Sequence, residues 1–477
     1  MSNEAEACVA GFDLNASRVR AFAGPPGTAA PLALDGRHPD LPLALSLEGG
    51  IVEVGRAGVR LCRRLPHLSC TNFLPHLGQP RAWGSGAARV DAGAALALVL
   101  EAVQPACDSL DALTLALPAY LNGPQVATVL QLAAEAGLPV AGALASPLAA
   151  ALADHAEQPW REAALVLDAD EHALTAAVVV ARDGWAQLAD VRFAPQLGRQ
   201  AWKARLLAAA ADRCIRQSRR DPRDSAPAEQ ALYEQLDAAL EAARDGRVAE
   251  LVIETPHWYQ NLLLRPEELV TVCAPVVRQA REMVAALLSE LDVGAVLLTA
   301  SAARLPGLPA ALEARSRKGS GRGEVRVLAA DAPARGAHGL AAAACRGEVP
   351  AGHLEAAPLP PPLPADAGPA RVQFEGRDYV LRGRPVLIGH DPGCDLVFDK
   401  AVYPMVAARH ADVLYDGQAY LLRDRGSRAL WVNGRPVVQR LPLHPGDWIR
   451  VGCSGPVLRF LGRPIVLAGR SRSAVGD

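Results

Sequence analysis

Residues 164–175, ALVLDADEHALT, have the types and spacing of a segment that could bind a phosphate. An apolar run leads into Asp168 and a second one follows from Ala176, which predicts two strands joined by a tight turn. A turn that holds a metal-bound phosphate needs glycines, because backbone N–H groups must approach the phosphate without Cβ atoms in the way. This turn carries Asp170, Glu171 and His172 instead. The segment therefore predicts the two strands and the turn of a phosphate site without the glycines that would bind the phosphate.

Near the N-terminus, CVAGFDLNASRVRAFAG places Asp13 between two apolar stretches in the same manner. An aspartate at a strand end commonly closes a turn by accepting backbone hydrogen bonds. We prefer that interpretation for Asp13 and Asp168 over a metal-binding role. We also interpret His172 as a surface turn residue, because no second histidine stands at ligand spacing.

Apolar strands alternate with Ala- and Leu-rich helical stretches on either side of these turns. LTLALPA (113–119) precedes a helix predicted from Gly123 to Glu135, and AVLLTAS (295–301) precedes another from Leu308. This alternation predicts an α/β domain over residues 1–348. The domain is too large for one sheet, so we expect two lobes.

The proline-rich segment 349–370, VPAGHLEAAPLPPPLPADAGPA, is predicted to be a semi-rigid linker. After it, short strands recur between turns, and VLYDGQAYLL has Asp416-Gly417 between alternating runs, which is a strong hairpin signal. Residues 371–465 are therefore predicted to be an all-β sandwich, followed by a tail at 466–477.

Composition excludes several classes of function. Lys plus Arg total 49 against 51 Asp plus Glu, so the net charge of −2 offers no electrostatic footprint for nucleic acid. The nine cysteines form no Cys-x-x-Cys pair, which predicts a reducing compartment and no metal site. No uncharged apolar run reaches the ~20 residues of a membrane helix, and the acidic start MSNEAEA lacks the features of a secretory signal. We expect a cytoplasmic protein without a membrane partner, and the Ala, Arg, Gly and Pro content is typical of a GC-rich bacterial genome.

Residues 5–348 resemble the nucleotide-binding domain of the actin/Hsp70 superfamily and are most similar to Hsp70 (DnaK-type) proteins. The most specific stretch is ALPAYLNGPQ…AAEAGLPVAGALASPLAAALA (116–153), which is similar to the family run VPAYFN…AGL…NEPTAAALA. The resemblance implies a two-lobed fold with ATP and Mg²⁺ as cofactors. It also implies the following remnants of a nucleotide cleft: Asp13, Ser17, Asp168 and Arg304.

Other positions depart from the family pattern. Leu74 falls near the position of the catalytic lysine, and Ser146 replaces a glutamate. Ala300 and Ser301 replace the Gly-Gly of the adenosine loop. Without the lysine, the carboxylates of the 168–175 turn would repel a polyphosphate, and phosphoryl transfer needs positioned cations. We expect no catalytic residue, no hydrolysis and no bound cofactor.

The C-terminal region resembles a forkhead-associated (FHA) domain, a phosphothreonine-recognising β-sandwich. The matching pieces are PVLIGHDPGCDLVFD (385–399), ARHADV (408–413), YLLRDRGS (420–427), LWVNGRPV (430–437) and LHPGDWIRVG (443–452). His390 stands where the family has a phosphate-binding arginine, and Ala407 stands where it has a serine. The resemblance implies that His410 is a structural histidine. The candidate partner-binding residues are His390, Arg409, Arg425, Ser427, Arg428 and Asn433.

Two functions remain open at this point. The first is an Hsp70-like pseudo-ATPase scaffold that presents the FHA-like module to a protein partner, in signalling or assembly. The second is an ATP-binding, chaperone-like protein of the Hsp70 family that recognises phosphothreonine partners. We prefer the first, because the departures from the family pattern surround the whole cleft.

Overall fold

The computed structural model describes residues 7–26, 29–36, 38–85, 89–160, 162–256, 258–288, 293–316, 324–360, 371–374, 377–381, 385–415, 420–426, 429–443, 446–453 and 455–461. The chain divides into two compact units, Met1–Pro361 and Pro362–Asp477. Across the described ranges, no helix combines the length and apolar character that crossing a bilayer requires.

The first half of unit 1 contains mostly short strands around one larger sheet. Its strands are β1 (Val9–Leu14), β2 (Arg18–Gly24), β3 (Ala30–Leu32), β4 (Asp40–Pro42), β5 (Ala44–Ser46), β6 (Glu53–Val54), β7 (Ser69–Thr71), β8 (Ala82–Trp83), β9 (Val90–Asp91), β10 (Ala112–Leu117) and β11 (Val140–Ala145). Its helices are α1 (Arg56–Val59), α2 (Ala92–Val103), α3 (Gly123–Glu135) and α4 (Ser146–Glu157).

The second half of unit 1 contains longer strands and longer helices. Its strands are β12 (Ala163–Ala169), β13 (Leu174–Arg182), β14 (Trp185–Ala194), β15 (Ala249–Thr255), β16 (Trp258–Leu264), β17 (Ala295–Leu298), β18 (Glu324–Val327), β19 (Gly352–Leu354) and β20 (Ala356–Pro358). Its helices are α5 (Arg199–Ser218), α6 (Ala226–Arg244), α7 (Pro266–Leu288), α8 (Ala300–Ala303), α9 (Leu308–Ser316) and α10 (Ala332–Cys345).

Five consecutive strands have the same order in the two main sheets of unit 1. The first contains β3-β2-β1-β10-β11 and the second contains β14-β13-β12-β17-β18. In each sheet three antiparallel strands are followed by two parallel ones, and helices connect the parallel strands. Their central strands β1 and β12 are apolar and almost wholly buried. Each central strand carries an aspartate near its end and then continues into a turn. These two turns form the candidate site.

Helix α10 packs against both β1 and α4. Gly336 permits the contact with α4, since a Cβ atom there would lie 1.9 Å from the carbonyl oxygen of Ala149. Gly11 permits the contact with β1, where a Cβ atom would lie 2.0 Å from the carbonyl oxygen of Ala334. Both positions require glycine because backbone meets backbone.

Unit 2 is a β-sandwich. Its strands are β21 (Arg371–Phe374), β22 (Arg377–Val380), β23 (Val386–Gly389), β24 (Leu396–Val397), β25 (Ala411–Tyr415), β26 (Tyr420–Asp424), β27 (Leu430–Val432), β28 (Arg435–Pro436), β29 (Arg440–Pro442), β30 (Trp448–Val451) and β31 (Val457–Leu461). One sheet has the order β22-β21-β31-β30-β27-β28 and the other β24-β23-β25-β26-β29. The predicted hairpin is confirmed by the antiparallel pairing of β25 with β26, although Asp416 and Gly417 themselves lie outside the described residues.

The predicted linker begins too early. Strands β19 and β20 occupy residues 352–358 and pair with β11 and β14 in unit 1. The proline content of the whole segment predicted a linker. Residues from Gly352 to Ala357 nevertheless all have a backbone N–H and can pair in a sheet, and Pro358 lies at the end of the second strand, opposite Trp185. Proline is tolerated at a strand end, where no ladder hydrogen bond is lost. The linker residues 361–370 and the predicted tail at 466–477 lie outside the described residues.

Candidate functional site

The first candidate site is formed by two turns at the ends of β1 and β12. The first turn (residues 15–17) folds around the Asn15 side chain, whose Oδ1 accepts the N–H groups of Ser17 at 2.9 Å and Arg18 at 3.2 Å. The second turn (residues 170–173) folds around Asp170, whose Oδ1 accepts the N–H groups of His172 and Ala173, both at 2.9 Å. An Asn or Asp side chain thus closes each turn in place of glycines.

Asp170 also joins the two turns. Its Oδ2 accepts the Ala16 N–H at 3.0 Å and the Tyr120 hydroxyl at 2.6 Å. Beside it, the Glu171 N–H donates to the Ser17 hydroxyl at 2.9 Å. Burial raises the pKa of Asp170 to about 6, although the Tyr120 and backbone donors act in the opposite direction. The Asp170 carboxylate therefore takes up four donors from three segments of the chain.

Asp13, at the end of β1, is buried beside the guanidinium group of Arg18, with 3.5 Å between Oδ2 and the nearest nitrogen. Burial raises the pKa of Asp13 to about 6, with Arg18 opposing the rise and Asp168 adding to it. The same guanidinium group donates to the Ser301 hydroxyl at 3.3 Å and lies 3.6 Å from Asp40. Arg18 therefore reaches from the first turn to the start of α8.

The oxygens of Asp168 are also engaged. The Thr299 hydroxyl donates to Oδ1 at 2.8 Å, the Ala169 N–H donates to the same atom at 2.9 Å, and the Ser146 hydroxyl donates to Oδ2 at 3.3 Å. Thr299 is the N-cap of α8, and Ser146 begins α4. Asp168 thus connects the ends of two helices to β12.

Glu171 does not face the first turn with its carboxylate, contrary to the expectation that it would repel a phosphate there. Its Oε1 accepts the Lys203 ammonium at 2.7 Å, and Lys203 also donates to Asp237 at 3.0 Å. Burial works to raise the pKa of Asp237, but Arg199 and Lys203 outweigh it and hold that pKa far below its usual range. This cluster therefore pairs the buried cations Arg199 and Lys203 with the less buried carboxylates of Glu171 and Asp237.

The predicted cleft residues have different surroundings. Asp13, Ser17 and Asp168 belong to the two turns described above. Arg304 instead places its guanidinium group 2.8 Å from Glu241 of α6, and burial lowers its pKa to about 10. Leu74 lies fully buried in an apolar core.

Three features escaped the sequence analysis. The contacts of Arg18 and Tyr120 depend on the tertiary fold, and no local pattern signals them. His172 was predicted to be a surface residue, but it is half-buried with its ring 5.0 Å from that of Tyr120. In the described part of the chain, no three His, Cys, Asp or Glu side chains are grouped to hold a metal ion.

The two halves of unit 1 also meet through Gln230 of α6. Its Oε1 accepts the N–H groups of Arg63 at 2.7 Å and Arg64 at 3.2 Å, and its Nε2 donates to the Val59 carbonyl at 3.0 Å. The Arg63 guanidinium group also lies 4.7 Å from the ring centre of Tyr233. This contact between α6 and residues 59–64 therefore joins the two halves in addition to the turns and to the packing of α10 on β1 and α4.

The second candidate site is the loop end of unit 2. His410 is fully buried, its Nδ1 accepts the Ala407 N–H at 3.0 Å, and its Nε2 donates to the Ala429 carbonyl at 2.8 Å. Burial lowers the pKa of this histidine, which favours the neutral ring that these two bonds require. His410 therefore ties two loops together, in the structural role that the resemblance implies.

The candidate partner-binding residues are differently exposed. Arg409 is 57% exposed and lies 3.5 Å from Asp391, next to the loop that carries the half-buried His390. Arg425 donates to the buried Asp412 at 3.0 Å. Asn433 adopts a φ of 50° in a tight turn and binds Asp447 and the Trp448 N–H.

Of these candidates, His390 and Arg409 lie on neighbouring loops, since the His390 N–H bonds the carbonyl of Ala407 at 3.2 Å. Arg425 and Asn433 make bonds within unit 2 and are also exposed, so they stay candidates for partner binding. Ser427 and Arg428 lie outside the described residues.

Comparison with known proteins bears on this second site. No curated protein matches the chain. Residues 386–452 match the model of the FHA domain family, which is less than half of the chain and includes β23 to β30. An FHA domain is a protein-interaction module used in signalling, and its typical partners are phosphothreonine-containing proteins. Unit 2 is therefore a β-sandwich that contains an FHA domain.

Proposed function

We propose that residues 1–348 are a degenerate Hsp70- or actin-like domain that does not hydrolyse ATP and serves as a scaffold for the FHA module. The five-strand order that the two sheets of unit 1 share supports this proposal, because the resemblance implies a fold of two lobes. The positions of the two turns support it as well, since each lies at the end of a central strand.

The observation that carries the proposal is the carboxylate of Asp170. A phosphate-binding turn offers its backbone N–H groups to an anion, and here Asp170 accepts the N–H groups of Ala16, His172 and Ala173. The Asp170 carboxylate thus takes the place of a bound anion, and the hydrogen bond from the Glu171 N–H to the Ser17 hydroxyl connects the two turns. The residues do not fit a bound polyphosphate, because the donors it would need are already engaged.

Electrostatic repulsion also opposes nucleotide binding in this cleft. Two like unit charges about 4 Å apart repel by about 4 kcal/mol at an effective dielectric constant of 20. Asp13, Asp168 and Asp170 would all face a nucleotide in this cleft. Arg18 is already shared between Asp13 and Asp40, and Arg20 is paired with Asp40. A nucleotide would therefore add negative charge to a cleft in which these two cations are already engaged.

Thermal unfolding of the full chain with and without Mg-ATP tests this proposal. A ligand at 100 times its Kd stabilises a protein by about 2.7 kcal/mol, which is a shift of a few degrees in Tm. We expect no shift at millimolar Mg-ATP. A shift of several degrees that Asp13→Ala abolishes would establish the ATP-binding alternative instead.

For the FHA module we propose a protein partner that contacts the loop end at His390 and Arg409. Arg409 is the more exposed of the two, and Asp391 beside it would compete with a phosphate for its guanidinium group. We therefore favour an unmodified protein segment over a phosphothreonine. Titration of the full chain with matched phosphorylated and unphosphorylated threonine peptides decides between them. Selective binding of the phosphorylated set, lost in Arg409→Ala, would overturn this preference.

A further inference from the structure

The β-sandwich of unit 2 has a cavity between the edge strands of its two sheets. Strand β22 is the last strand of one sheet and β24 is the last strand of the other. Tyr379 of β22 and Val397 of β24 both line this cavity, whose volume is about 450 Å³. A volume of this order is typical of pockets that bind a small molecule or a single large side chain. The gap between the two edge strands is therefore a space that a ligand can enter.

Three aromatic rings contact one another in the lining of this cavity. The ring centres of Phe374 and Phe398 lie 5.0 Å apart, and the ring centre of Tyr403 lies 6.4 Å from the first and 5.7 Å from the second. All three pairs are edge-to-face, the geometry that aromatic side chains favour. Beside them, Val397 is 52% exposed and Val402 is 62% exposed. An aromatic cavity with exposed aliphatic side chains in its lining is typical of a contact surface.

The cavity lining also contains a cation. Arg377 begins β22 and pairs directly with Phe374 of β21, so its side chain lies on the same face of the sheet as that ring. Arg377 is exposed, and no acceptor in the part of the chain that the structure describes pairs with its guanidinium group. Asp399 lines the cavity too, but its Oδ1 accepts the Ala401 N–H at 2.8 Å. The Arg377 guanidinium group can therefore pair with a carboxylate from outside.

We propose that this cavity binds a segment of a partner protein in which an aromatic residue is followed by an aspartate or glutamate. The aromatic side chain would pack against the three rings, and the carboxylate would pair with Arg377 in the bidentate geometry of guanidinium groups. Aromatic and arginine side chains contribute much of the binding energy at protein interfaces. Neither His390 nor Arg409 lines the cavity, so it is a second surface, and either contact can fail without the other.

Fluorescence anisotropy of labelled short peptides with the full chain tests the proposal. The probe Gly-Ser-Trp-Asp-Ser-Gly carries the ring and the carboxylate, and its two matched controls replace Trp by Ala or Asp by Asn. Because the segment is short, we expect a Kd between about 10 and 500 µM for the probe and binding at least about tenfold weaker for each control. A probe that does not bind at about 1 mM, or a control that binds as tightly as the probe, overturns the proposal.

Substitutions locate the bound probe. Arg377→Gln, at an exposed position, should weaken its binding about tenfold, and Val402→Glu should do the same because it adds a competing carboxylate to the cavity lining. Two controls should bind the probe like the parent: Val438→Glu, at an 80% exposed valine outside this lining, and Arg409→Ala at the loop end. If Arg409→Ala loses the probe while Arg377→Gln keeps it, the probe binds at the loop end and the proposal is wrong.

An exchange of charges shows whether the pairing with the carboxylate is direct. Arg377→Glu should bind Gly-Ser-Trp-Lys-Ser-Gly more tightly than the aspartate probe, which reverses the preference of the parent. The peptide Gly-Pro-Pro-Leu-Pro-Pro tests a proline-rich segment, which is another ligand that aromatic grooves bind. If the parent binds this peptide more tightly than the probe, or if Arg377→Glu keeps the preference of the parent, the proposal is overturned.

Discussion

Replacing Asp170 by alanine should destabilise unit 1 by about 3 kcal/mol at neutral pH. The substitution leaves four donors without their acceptor: the N–H groups of Ala16, His172 and Ala173, and the hydroxyl of Tyr120. Each loss costs about 1–2 kcal/mol, so the four together cost about 4–8 kcal/mol. The reason is that Asp170 is buried, so water replaces these bonds only in part.

A gain offsets part of this cost. The pKa of Asp170 is raised from 3.8 to about 6 even though the Tyr120 and backbone donors act to lower it, so the buried charge is unfavourable at neutral pH. Alanine removes this charge together with the four bonds, so the net loss should be smaller than the sum of the bonds, at about 3 kcal/mol. As the pH falls from 7.5 to 5, the parent protonates Asp170 and gains roughly 1.4 kcal/mol that the variant lacks. The difference between the two proteins should therefore grow as the pH falls through 6.

A double-mutant cycle with Tyr120→Phe isolates the bond between the Tyr120 hydroxyl and Asp170. A hydrogen bond to a charged group contributes about 1.5–3 kcal/mol, so the coupling energy should lie in that range. Native-state hydrogen exchange of peptides from residues 163–182 in the full chain reports the stability of unit 1 apart from unit 2. Asp212→Ala, at an exposed position of α5, is the control and should change stability by less than about 0.5 kcal/mol. A coupling energy below about 0.5 kcal/mol would refute the role of Asp170 as the acceptor that joins the turns.

Three further predictions concern other parts of the molecule. The pKa of Asp13 is raised to about 6, so its contribution to stability is complete at acid pH and is lost as the pH rises through 6. In Asp13→Asn the free energy of unfolding in urea should therefore change by roughly 1.4 kcal/mol less than in the parent between pH 5 and 7.5, and an unchanged pH dependence would contradict the burial of the charge. His410→Ala should destabilise unit 2 by about 2–4 kcal/mol in thermal unfolding, while His390→Ala should change it by less than about 0.5 kcal/mol, and equal effects would remove the distinction between the two histidines. Gly336→Ala should destabilise unit 1 by about 3 kcal/mol in urea unfolding, because its Cβ would meet the Ala149 carbonyl. The control Gly339→Ala, on the same helix but facing open space, should stabilise unit 1 by up to about 1 kcal/mol, and a Gly336→Ala variant as stable as the parent would contradict the close packing of α10 on α4.

Local patterns predicted the elements that depend on short-range signals. The apolar runs on either side of Asp168 predicted the strands that pair as β12 and β13, with Asp168 opposite Thr175. Alternating runs around Asp416-Gly417 predicted the pairing of β25 with β26. These signals suffice because neighbouring segments along the chain meet directly.

The contacts that close the candidate site arise over long separations and have no such signal. Asp170 meets Tyr120 across 50 positions and Ala16 across 154. Glu171 was expected to face a phosphate, but a buried lysine 32 positions further on pairs with it. The charges of the second turn are evident from the sequence, but the neighbours that pair with them come from distant segments and carry no local signal.

Hydrogen exchange at the two turns, measured with and without Mg-ATP, tests the central claim most directly. If the Asp170 carboxylate is the anion of this cleft, the amides of Ala16, His172 and Ala173 should exchange slowly without nucleotide, because all three donate to it. Millimolar Mg-ATP should then leave their exchange rates unchanged. Fast exchange at these three amides that Mg-ATP slows would show an open phosphate site and contradict the account.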